Sequence, residues 1–227
     1  PKVGAHPWEY EKRVDFYGDF FNYLFSRVNP RLIALANKAA MHTFGSEGSP
    51  KDMITVHIRW GDKKQELHGL VEIEEYIKAV ESLIKKHQLT TVHIFLNTID
   101  GRAIDAWNEN VKEKNWKTYI WNDSVESMSS YDNNPTTDAR RTKGAFGTTT
   151  MVALLLAMES RFYVITSGSN YSMLIEALRR GVLDKECTGC TDVIDLKHNP
   201  LQIKVMKAHN VPIPADWWDA QAHEKKV

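Results

Sequence analysis

Apolar positions along the chain alternate between two spacings, one close to 2 residues and one close to 3.6, and segments of the two kinds follow one another in turn. Phe16, Phe20, Tyr23 and Leu24 fall at helical spacing, and Asn29-Pro30 restarts a second helix toward Phe44. After the polar stretch Gly45 to Lys51, the run Met53 to Arg59 reads as a strand, followed by a helix from about Glu72 to Lys86. Thr91 to Leu96 predicts a second strand, Gly101 to Lys114 a helix, and Trp116 to Trp121 a third strand. Asn122 to Lys143 is rich in Ser, Asn, Asp and Thr and reads as a long loop of the kind that usually carries function. A helix from about Phe146 to Glu159, a strand Phe162 to Thr166 and a helix Tyr171 to Arg180, stopped by Gly181, complete the pattern.

Parallel neighbours need crossovers of about a dozen residues, which the intervening helices supply. The alternation therefore predicts an α/β fold, a doubly wound parallel sheet with helices on both faces. Residues 1–50 read as a helical lead-in, 51–200 as the sheet domain, and 201–227, with Pro212, Pro214 and Trp217-Trp218, as a tail that packs back.

With 227 residues, 42% of them hydrophobic, the chain can bury one sizeable core. Its 29 basic and 29 acidic residues cancel, so no global field favours nucleic acid or an anionic membrane, and a phosphate must be met by a local cluster. No stretch approaches the roughly 20 apolar residues that span a bilayer. Cys187 and Cys190 are the only cysteines and read as a short disulfide or two thiols; no second pair or nearby histidine completes a zinc site, so no metal is expected.

In open parallel sheets ligands bind beyond the carboxyl ends of the strands. Those ends turn polar four times here: His57-Ile58-Arg59-Trp60-Gly61-Asp62-Lys63, Asn97-Thr98-Ile99-Asp100, Asn122-Asp123 and Thr166-Ser167-Gly168-Ser169-Asn170. In the first strand Ile54, Val56 and Ile58 share one face while His57 and Arg59 point to the other, where a guanidinium is costly without an anion. A carboxylate such as Asp62 would satisfy it; a phosphate suits its planar fork better. Thr166 to Asn170 before a helix is either simple N-capping or a cradle of backbone N–H groups for phosphate. Neither a GxGxxG nor a GxxxxGK[ST] motif is present.

At these segments the sequence resembles the GT-B fucosyltransferases, particularly the core α-1,6-fucosyltransferases, whose first motif reads His-x-Arg-Arg-Thr-Asp-Lys. Glu74-Glu75-Tyr76 matches a Glu-Glu-Tyr in the next helix, Leu96 to Asp100 resembles Leu-Ala-Thr-Asp-Asp, and Phe162 to Ser169 resembles the last strand and its Thr-Phe-Ser-Ser turn. The likeness runs over roughly residues 10–185. It implies a Rossmann-like domain, the donor-binding half of such an enzyme, and inverting transfer of fucose from GDP-fucose to a glycan hydroxyl without a metal or other cofactor. Arg59 would then hold the β-phosphate and stabilise the departing diphosphate; Ser169 and Asn170, at the Thr166-Ser167-Gly168 turn, would add phosphate contacts. His57 would touch the base, Asp62 and Lys63 would complete the first motif, Tyr76 and Asp100 would line the nucleotide pocket, and Glu66 would be the base for the acceptor hydroxyl or a ribose ligand. Trp60 stands where the family has its second arginine, Ile99 where it has the first acid of a pair, and Ala153 where it has an acid facing guanine. The acceptor half would be a further part of a larger protein, or the opening helices and tail would form a reduced acceptor surface.

Overall fold

The computed structural model describes residues 19–60, 70–121, 140 and 142–196. Five parallel strands form one sheet: β1 (Ile54–His57), β2 (Val92–Asn97), β3 (Trp116–Tyr119), β4 (Phe162–Ile165) and β5 (Asp192–Asp195), in the order β3-β2-β1-β4-β5. The helices are α1 (Pro30–Phe44), α2 (Ile73–His87), α3 (Gly101–Val111), α4 (Ala145–Ala157), α5 (Asn170–Leu178) and α6 (Asp184–Cys187). This is the doubly wound, Rossmann-like α/β arrangement that the alternation predicts. Residues 19–25 are helical as well, whereas the rest of the lead-in before Asp19 and the tail at 201–227 lie outside the described residues.

Register explains which side chains meet. Ile54 pairs with Ile94 on one side and Phe162 on the other, and Val56 with Leu96 and Val164. Since alternate residues share a face, these six side chains form one apolar surface, covered by Tyr76, Val80 and Leu83 of α2 and Ala103 and Trp107 of α3. On the opposite face Met53, Phe95 and Tyr119 pack under Ala39 of α1 and Val152 and Leu156 of α4. Tyr163 and Ile165 pack there with Leu154 of α4 and Ile175 and Leu178 of α5. Thr55, the polar residue within β1, is fully buried but satisfied by Ser160 Oγ at 2.7 Å and the Ala157 carbonyl at 3.2 Å.

Two elements depart from the sequence reading. The helix does not stop at Gly181: it continues as a π-helical segment, Arg179–Leu183, into α6. The buried Arg179 holds this continuation by pairing back to Glu176 and forward to Asp184. Asp192–Asp195 adds a fifth strand at the sheet edge, in register with Phe162–Ile165.

Candidate functional site

After β3 the chain crosses back over the sheet and enters β4 on the far side of β1. At this reversal of strand order the connections leave β1 and β4 in opposite directions, and a crevice opens at their carboxyl ends. A cavity of about 360 Å3 occupies it. His57, Ile58 and Arg59 enter the cavity from the end of β1, and Asn97, Thr98 and Ile99 from the end of β2. Gly168, Ser169, Asn170 and Tyr171 enter from the turn into α5. Trp121 beyond β3 and one stripe of α4, Phe146, Thr149, Thr150 and Ala153, close the remaining wall. That stripe has the three- and four-residue spacing of a helix face.

His57 is 5% exposed, with Nδ1 2.6 Å from Ser172 Oγ and its ring 4.9 Å from that of Tyr171. Burial first, and the neighbouring Arg59 cation second, hold its pKa at about 3, so the ring is neutral at ordinary pH. Arg59 donates from Nη1 to the Trp60 carbonyl at 3.2 Å. It is the one permanently charged side chain among the described lining residues, which include no carboxylate.

The turn between β4 and α5 is closed by the Ser169 amide donating to the Thr166 carbonyl at 2.9 Å. Ser169 is the N-cap of α5 but makes no side-chain cap bond, so the first-turn amides of Asn170 and Tyr171 have no acceptor within the helix. The positive end of the α5 dipole thus stands at the cavity wall, close to a permanent cation.

The sequence-predicted site residues divide into three groups. His57, Arg59, Gly168, Ser169 and Asn170 share the cavity lining. Tyr76, Asp100, Thr166 and Ser167 are buried behind it and are not among its lining residues. The Tyr76 phenol faces Thr166 and the Arg59 backbone amide, and burial pushes its pKa up, keeping it protonated. Asp100 is the N-cap of α3: its Oδ1 accepts the Arg102 amide at 3.0 Å, and its Oδ2 accepts Arg102 Nη2 at 2.7 Å. Asp62, Lys63 and Glu66 form the third group and lie outside the described residues.

Of the α4 stripe only Ala153 stands out in the sequence, and Trp121 does not, although Thr148-Thr149-Thr150 interrupts an otherwise apolar helix and signals a polar-lined surface. Ile99 and Ala153, where the family carries acids, both line the cavity. Trp60, where it carries a second arginine, donates its indole N–H to the Val71 carbonyl at 2.9 Å.

Away from the cavity, Cys187 and Cys190 form a disulfide. Asp184 lies close enough to both sulfurs to suggest a three-ligand cluster. Its oxygens, however, already accept from Arg179 Nη1, the Thr191 amide and the Thr191 hydroxyl. Neither a family model nor a curated protein matches the chain.

Proposed function

We propose that the cavity binds a nucleoside diphosphate sugar and that the chain is the donor-binding half of a metal-independent, fucosyltransferase-like glycosyltransferase, moving fucose from GDP-fucose to a glycan hydroxyl. The observation that carries this reading is the sharing of one carboxylate-free lining, among the described residues, by Arg59 and the amino end of α5. A guanidinium and outward amides stabilise negative charge, and a departing nucleoside diphosphate develops it as the glycosidic bond breaks. The volume lies within the roughly 300–1,000 Å3 of small-molecule sites. Trp121, Phe146 and Tyr171 offer aromatic walls against which a base can pack.

A second reading, a nucleotide- or glycan-binding module without turnover, is favoured by Trp60, whose indole is engaged with Val71 in place of a second cation. The loss of acids at Ile99 and Ala153 favours a transferase that takes another nucleotide sugar. Calorimetric titration with GDP, GDP-fucose and UDP separates these readings. The first expects saturable binding of GDP and GDP-fucose that UDP competes for weakly. Preferred binding of UDP would move the assignment to the other donor, and no saturable binding of any of the three would overturn the site. Turnover of GDP-fucose that is lost in Glu66→Gln would exclude the module.

A further inference from the structure

Ser172 stands just behind the cavity wall, fully buried in the first turn of α5. Its oxygen lies 2.6 Å from His57 Nδ1 and accepts the Thr166 amide at 3.2 Å. The hydroxyl carries one proton. The Thr166 amide is a donor and cannot receive that proton, which leaves His57 Nδ1 as its acceptor among the described residues. If Nδ1 were protonated, the hydroxyl oxygen would face two donors while its own proton was buried without a partner, an arrangement folded proteins avoid.

We propose that Ser172 is a positioning residue: it donates to Nδ1, fixes His57 as the tautomer protonated on Nε2, and so makes the ring present an N–H donor to the ligand in the cavity. The reading of the cavity as a nucleotide site is needed only for the ligand's identity. His57 lines the cavity, and its Nε2 bonds to no described residue. The groups facing the ring are Arg59 from its own strand exit, Tyr171 and Ser172 from α5, and Asn97 opposite it in β2. Tyr171 is kept protonated by burial, leaving Arg59 as the one charge in that set, and it opposes a second cation. The ring is therefore a neutral donor across the working pH range. With the guanidinium and the first-turn amides beside it, the ligand atom set against His57 must be an acceptor: a carbonyl or hydroxyl oxygen, or an unprotonated ring nitrogen.

Ring-nitrogen NMR of the ligand-free, 15N-labelled chain tests this directly. The expected spectrum has the proton on Nε2 and a bare, hydrogen-bonded Nδ1 at both pH 7 and pH 5. A proton on Nδ1, or an imidazolium at pH 7, would overturn the proposal. In Ser172→Ala the ring signals should move toward an averaged mixture of the two neutral tautomers, with Ser172→Cys, a weaker donor of similar size, in between. An unchanged ring in the folded alanine variant would also overturn it; should that variant fail to fold, the wild-type and cysteine spectra decide. With GDP as probe, Ser172→Ala should bind roughly 2- to 10-fold more weakly; unaltered affinity alongside a shifted tautomer would refute the role in recognition. If GDP does not bind the wild type, the nucleotide reading falls while the spectra still judge Ser172.

Discussion

Replacing Arg59 by alanine is expected, on the proposed function, to weaken GDP binding by about 2–5 kcal/mol, roughly 30-fold to several thousand-fold, because it would remove the partner of a desolvated charge–phosphate contact. No other permanently charged side chain is present among the described lining residues, and the α5 amides alone supply partial charge only. Arg59→Lys should fall in between, since an ammonium keeps the charge but loses the planar two-point contact with phosphate. The fold should tolerate both changes, because the side chain lines a cavity rather than either apolar core. Calorimetry on the three proteins, with a thermal melt as a folding control, reads the effect. Alanine and wild-type affinities within a factor of two would remove Arg59 from the site.

Arg179→Ala should destabilise the fold by about 3–5 kcal/mol. Arg179 is 6% exposed, and four of its five N–H donors are engaged. Nε and Nη2 donate to the two Glu176 oxygens at 2.8 and 2.9 Å, and Nη1 to Asp184 at 2.5 Å and the Thr191 hydroxyl at 2.7 Å. Truncation leaves the partly buried Asp184 without its cation and Glu176 with only the exposed Arg180, and it removes the guanidinium's bond to the Thr191 hydroxyl just before β5. Against the roughly 5–15 kcal/mol that holds a typical domain, this is a large share. Urea unfolding measures it, and a loss below about 1 kcal/mol would contradict the role given to the network. Arg179 follows the last residue of a nine-residue helix whose first turn meets the cavity, about 13 Å away along the axis. The protein that remains folded should therefore bind GDP as the wild type does.

The sheet was legible because its central strands are buried on both faces. Ile54 to His57 and Phe162 to Ile165 are continuous buried runs, and Val92 to Asn97 nearly so, with polar residues beginning at each carboxyl end. β5 was not legible: Asp-Val-Ile-Asp carries two apolar residues, follows a Cys-Thr-Gly-Cys turn and is only partly buried along its whole length. Its pairing with β4 supplies what its own sequence does not signal.

The candidate site was legible in its chemistry more than in its boundaries. His57, Arg59 and the Gly168-Ser169-Asn170 turn could be chosen because charge and polarity at strand ends have no packing explanation, and these residues do share one cavity. Tyr76 and Asp100 follow strands that lead to the same crevice, yet α2 and α3 cover the opposite face of the sheet. Which face carries the cavity depends on where β4 is inserted, a long-range pairing that local spacing does not encode. The α4 stripe was hidden for a similar reason: its apolar residues serve two clusters at once, and only the packed arrangement separates the stripe that faces the cavity from those that face the core.

Whether a nucleotide occupies the crevice beyond β1 and β4 can be read from a crystal structure with GDP. The two phosphorus groups are expected between the Arg59 guanidinium and the amides that open α5, with the base against the aromatic wall. A nucleotide seated elsewhere, or one whose phosphates point away from Arg59 and Ser169, would contradict that placement.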